Sequence, residues 1–118
     1  MAYDERVARR VRSALSKHAG VVEKKMFGGL AFLFHGHMCC GVIGDELMVR
    51  VGPSAYDDAL SEPHARQMDF TGKPLRGLVY VAPAGFASTN ALRAWVAKGT
   101  EFASTLPSKQ RRDRKGTR

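Results

Sequence analysis

The sequence predicts an α+β two-layer sandwich: one mainly antiparallel sheet, with helices packed on its apolar face. The expected order is helix, four strands, helix, two strands, helix. Three observations predict it. Amphipathic patterns of helical period open and close the chain. Between them, short apolar runs are divided by glycine-centred turns of the hairpin kind. And 118 residues, 44% of them hydrophobic, suffice for one domain with a real core but not for two comfortable ones.

The first helix is read from Tyr3, Val7, Val11, Ala14, Leu15 and His18, which recur at spacings of three and four. Asp4 and Glu5 sit at its start and Lys17 near its end, as the macrodipole prefers, and Gly20 is a natural stop. Its other face carries Arg6, Arg9, Arg10 and Arg12.

Residues 21 to 51 read as four strands, VEKKMF, LAFLF, HMCCGVI and ELMVRV, punctuated by Gly28-Gly29, His35-Gly36 and Gly44-Asp45. His35-Gly36 occupies the place where Asn-Gly would form a two-residue type I′ turn, and His tolerates positive φ better than most residues. That turn would pair Phe34 with His37, Leu33 with Met38, Phe32 with Cys39 and Ala31 with Cys40. A turn at Gly44-Asp45 would then pair Cys40 with Val49 and Cys39 with Arg50. In this register Ala31, Leu33, Met38, Cys40, Val42, Leu47, Val49 and Val51 make an apolar face. Phe32, Phe34, His37, Cys39, Met48 and Arg50 make a mixed one.

Pro53 suits the first turn of a short helix ending before Pro63. RQMDF and GLVYVAP are the last two strands, joined by the turn-rich Thr71-Gly72-Lys73-Pro74. Ser88 or Thr89 caps a final helix carrying Leu92, Trp95, Val96, Phe102 and Leu106. Gly99 weakens that helix by about 1 kcal/mol relative to Ala on propensity alone. The expected core is Val7, Val11, Leu15, Leu33, Cys40, Val42, Leu47, Val49, Val79, Val81, Leu92, Trp95 and Val96.

The net charge is +8, and residues 107–118 hold six cations against Asp113, so most of the basicity is a tail. The chain is therefore expected to divide into a folded domain, 1–106, and a disordered basic tail, 107–118. No apolar run approaches the roughly 18 residues of a membrane span. The amino terminus lacks the apolar segment of a secretory signal, so a cytoplasmic protein without a membrane partner is expected.

FHGHMCCG, residues 34–41, holds both cysteines and two of the four histidines. In the expected register His37 and Cys39 share a face, Cys40 faces away and His35 sits in the turn. Zinc needs three or four converging ligands, and His18 and His64 are distant in sequence, so no metal site is assigned. Cys39 beside Arg50 is the one candidate for a reactive thiolate; a buried thiol is the simpler reading. A Walker loop, G-x-S-x-G, HExxH and CxxC are all missing. No catalytic or cofactor-binding residue is assigned, and a non-enzymatic protein is expected.

At MAYDE (1–5), MFGGLAF (26–32), LMVRVG (47–52), MDFTGKPLRGLVYV (68–81) and LRAWV (92–96), the sequence resembles the amino-terminal domain of the TfoX/Sxy family. The likeness runs in order from about residue 1 to LPSK at 106–109. It implies a fold like that of secretion chaperones. It also implies a regulatory role: founding members promote natural competence together with a cyclic-AMP-responsive transcription activator. Those members carry a second, helical domain, and the chain is expected to be a stand-alone version of the first.

Two functions are therefore expected in turn. The first is a regulatory protein-interaction domain, using Phe32, Phe34, His37, Met48 and Arg50 on the mixed face. Its partner is a second copy, or else an unidentified regulatory protein. The second is weak, sequence-independent nucleic-acid binding through Arg6, Arg9, Arg10 and Arg12 with Lys109, Arg111, Arg112, Arg114 and Lys115.

Overall fold

A computed structural model of the chain describes residues 3–26, 28–69 and 74–107. The Thr71–Pro74 turn, apart from Pro74, and the tail beyond Pro107 lie outside the described residues. The architecture is α+β: a six-stranded antiparallel sheet with the helices on one of its faces.

Helix α1 spans Glu5–Ala14. Asp4 caps it, its side chain accepting the Arg6 N–H at 2.8 Å. Tyr3, expected on the helical stripe, instead forms a parallel bridge to Gly44, and the Asp4 N–H donates to the Gly44 carbonyl at 2.8 Å. Its backbone is thus satisfied by the sheet, so the buried stripe begins at Val7 and continues through Val11 to Leu15.

The strands are β1 (Val21–Met26), β2 (Gly29–Phe34), β3 (His37–Ile43), β4 (Glu46–Arg50), β5 (Ala65–Asp69) and β6 (Pro74–Val81). Their order across the sheet is β1-β2-β3-β4-β6-β5. His35 and Gly36 both have positive φ, 56° and 85°, as a type I′ turn requires. At the next turn Gly44 has positive φ and Asp45 does not, which is the type II′ pattern. Helix α2 (Tyr56–Leu60) packs against β6 and β5 and carries the chain to the far edge. A 3₁₀ helix, Pro83–Phe86, which the sequence pattern did not signal, leads to helix α3 (Thr89–Ser104). Ser88 caps α3 by accepting the Ala91 N–H at 3.0 Å.

One register shift reorganises the two faces. Phe34 faces His37 and Leu33 faces Met38 as expected, but Phe32 then faces Cys40, Ala31 faces Gly41 and Leu30 faces Val42. Cys39 is the extra residue of a β-bulge. Strand β2 keeps its alternation, so Phe32, with Leu30, joins Cys40, Val42, Leu47, Val49, Val79 and Val81 in the core under the helices. Ala31 and Leu33 face the other way, with Met38. The expected mixed face is thus corrected: Phe32, Phe34, His37 and Cys39 belong to the helix side, while Met48 and Arg50 belong to the opposite side. Cys39 was expected opposite Arg50, but the β3–β4 ladder runs from Cys40 with Val49 to Ile43 with Glu46. Every expected core residue is buried except Leu33, which is half-buried.

The bulge also explains Gly99. It brings Cys39 up against α3, where residue 99 has no room for a side chain: a Cβ there would meet the Cys39 carbonyl carbon at 3.0 Å. Glycine costs the helix propensity but lets it sit directly on the bulged strand.

Candidate functional site

The bulge turns Cys39 and Cys40 toward the same interior, with both fully buried and their sulfurs 3.9 Å apart. The expectation that Cys40 faces away from Cys39 is therefore corrected. The Cys39 thiol also lies 3.4 Å from the Phe32 carbonyl oxygen, an acceptor within reach of a thiol donor. Its pKa is lowered from the ordinary 9.0, chiefly by the hydrogen bond with the Cys40 thiol and against the effect of burial. The same hydrogen bond, then burial, holds the Cys40 thiol well above its ordinary value. Arg50 plays no part in this: its guanidinium lies over Phe102, 5.2 Å from the ring centroid.

The histidines of the same stretch do not join the thiols. His35 is exposed in the turn, with its ring against Phe34 at 4.1 Å. His37 is buried, and its Nε2 is hydrogen-bonded to the Pro107 carbonyl oxygen, which ties the end of the α3 segment to the sheet. Phe34, half-buried, meets His18 edge-on at 5.4 Å. Among the described residues no three His, Cys, Asp or Glu side chains converge as metal ligands would. The stretch is a hairpin with a bulge.

The arginines of α1 have divided duties. Arg10 donates to the carbonyl oxygens of Phe86 and Ala87 at 2.8 and 3.0 Å, and its guanidinium lies 5.8 Å from the Phe86 ring centroid. It anchors the 3₁₀ helix to α1. Arg12 makes a two-pronged ion pair with Glu23 of β1, one prong at 2.8 Å. Of the four expected nucleic-acid contacts on this helix, Arg6 and Arg9 are exposed, Arg6 with its Nε 3.8 Å from the Asp4 carboxylate. Lys109, Arg111, Arg112, Arg114 and Lys115 lie outside the described residues.

The remaining feature is the sheet face that α1, α2 and α3 leave alone. Alternation places Val22, Leu33, Met38, Met48, Leu78 and Tyr80 on it. None of these residues belongs to the core cluster under the helices. Met48 is buried by lying across the face over Gly41, where a Cβ would come within 2.7 Å of its terminal methyl. Leu33, Met38, Leu78 and Tyr80 are half-buried, and Val22 is 51% exposed, unusual for a large aliphatic residue. Cations border this surface. Arg66 stacks on Tyr80 at 4.5 Å and pairs with Glu46, while Lys24 and Arg50 flank the apolar residues. Of the expected interface residues, only Met48 and Arg50 belong here. Sequence reasoning missed Leu33, Met38, Leu78 and Tyr80; the period-2 pattern of GLVYV carried part of the signal, but the bulge at Cys39 hid the rest.

These features define a small α+β sandwich with helices on one side of its sheet and a mixed apolar and cationic surface on the other. The chain belongs to the TfoX N-terminal domain family, whose model matches residues 13–103. A search of curated proteins and a search of solved structures each gave no match.

Proposed function

We propose that this protein is a non-enzymatic regulatory domain that works by binding another protein through the helix-free face of its sheet. The observation that carries the reading is the cluster of Val22, Leu33, Met38, Leu78 and Tyr80, partly or largely exposed on one surface. Apolar and aromatic residues bordered by arginine are the composition of protein interfaces. The TfoX/Sxy resemblance supports a regulatory role for such a contact.

The bordering charges bear on the partner. A symmetric homodimer through this face would bring Lys24 and Arg50 of two copies toward one another, at a repulsive cost. An acidic partner would instead complement them, so a hetero-partner is the stronger form of the proposal.

The test places a photo-crosslinking residue at Leu33 or Leu78, and at exposed Arg93 of α3 as the control, in cells of the native organism. A single acidic partner crosslinked from the sheet positions, absent from the control and lost in a Tyr80→Glu variant, supports the proposal. Equal capture from residue 93, or no capture from the sheet with a chain that sediments as a monomer, removes it.

A further inference from the structure

Beside that face, at the end of the sheet where β3, β4 and β6 meet the last turn of α3, lies a groove of about 250 Å³. Two arginines, Arg50 and Arg76, line it, and among the described residues no acidic one does. Arg10, Arg12 and Arg66 are each satisfied by carbonyl oxygens or a carboxylate. Arg50 and Arg76, by contrast, have no hydrogen bond or ion pair to a carboxylate among the described residues. Each instead lies against a ring: Arg50 is 5.2 Å from the centroid of Phe102, and Arg76 is 5.3 Å from that of Tyr56. A guanidinium held over a ring by cation–π attraction keeps its N–H donors for an anion.

The floor is built to hold its shape. The N–H groups of Val51 and Gly52 both donate to the Gly77 carbonyl, at 2.8 and 3.1 Å. Gly52 and Gly77 have φ of 87° and 96°, and a Cβ at residue 52 would run into the Phe102 ring. Half-buried Met38, Leu78 and Phe102 supply the apolar lining.

We infer that this groove binds a small organic anion, a carboxylate or phosphate monoester carrying a compact apolar body. The unopposed positive charge selects an anion over a neutral or cationic ligand, and guanidinium forks match carboxylate and phosphate oxygens. The apolar lining selects an organic anion over an inorganic one. The groove shares Met38, Arg50 and Leu78 with the edge of the proposed contact face, while Arg76 and Phe102 belong to the groove alone. A small anion and a protein partner are separate ligands, and a titration with the anion alone reads it by itself.

The experiment is a titration of the isotope-labelled full chain with phenyl phosphate and benzoate, followed by amide chemical shifts. Inorganic phosphate and neutral benzamide serve as comparisons. Saturable shifts centred on residues 38, 50–52, 76–78 and 102 are expected, with a dissociation constant of about 1 mM or tighter. Inorganic phosphate and benzamide should bind about tenfold more weakly, as should Arg50→Met and Arg76→Met chains that melt like wild type. Four results overturn the inference: no saturable shift with either aromatic anion, shifts centred elsewhere, benzamide binding as well as benzoate, or full affinity in both folded variants. The benzoate–benzamide comparison on the wild-type chain decides the point even where a variant fails to fold.

Discussion

Gly99 of α3 rests on the peptide of Cys39 in β3, so closely that any side chain at residue 99 would strike the Cys39 carbonyl. Helix propensity alone predicts that Gly99→Ala stabilises the chain by about 1 kcal/mol. The contact reverses the sign. Pushing α3 off the bulged strand should instead destabilise the fold by about 1–3 kcal/mol, the usual effect of overpacking. Urea denaturation of the variant measures it, and a midpoint at or above wild type would mean that the two elements do not touch as described.

The register of β2 makes a paired prediction at adjacent positions. Phe32, 1% exposed, lies under the helices, and Leu33 lies half-buried on the other face. Phe32→Ala should cost about 3–5 kcal/mol, and Leu33→Ala well under half of that. Had Cys39 faced Phe32, the order would be reversed. Equilibrium unfolding of the two variants side by side distinguishes the registers.

The thiol pair gives the fold a dependence on alkaline pH. Cys39 ionises below the usual 9.0 in the folded chain, and Cys40 well above it. As pH rises through the lowered Cys39 value toward 9, the unfolded chain holds more protons there, so stability increases. Above 9 the unfolded chain would release the Cys40 proton that the folded chain retains, so stability falls. Replacing both cysteines by alanine should remove the rise and the decline together, whatever it does to stability at neutral pH, whereas Cys40→Ala alone would also take away the hydrogen bond that lowers Cys39. Denaturant midpoints of wild type and the double variant across pH 7 to about 10.5 give the comparison.

Arg12 and Glu23 join α1 to the edge strand β1, and the ion pair lowers the Glu23 pKa below its ordinary 4.5, first through the hydrogen bond from Arg12. The contribution is therefore present above pH 4.5 and lost as pH falls through the lowered value. The two side chains are 46% and 36% exposed, so solvent screens the pair strongly. Arg12→Ala should cost only about 0.5 kcal/mol. The difference from wild type should shrink further in about 1 M salt. A cost that salt leaves unchanged would point to lost packing by the Arg12 stem.

Much of this protein was already written in its sequence. The 3.6-residue period placed Val7, Val11 and Leu15 on the buried side of α1, Ser88 marked the start of α3, and His35-Gly36 set a type I′ turn. These signals are local: a cap, a φ preference or a repeat is complete within a few residues, so it survives without knowledge of the rest of the chain. The sandwich follows from their order. What the tertiary structure decided was which face each strand presents. Strict alternation assumes an unbroken ladder, and one unpaired residue at Cys39 moved Phe32 into the core, turned both thiols inward and sent Leu33 and Met38 to the open side. A bulge leaves no mark in a run such as HMCCGVI, because Cys is small and apolar enough for either face. It was settled by packing across the sheet, where Gly99 admits the Cys39 backbone and only a helix in place can favour that register. The groove depends on the third dimension in the same way. Arg50 and Arg76 are 26 positions apart in the chain, and only the pairing of β4 with β6 brings them to one surface.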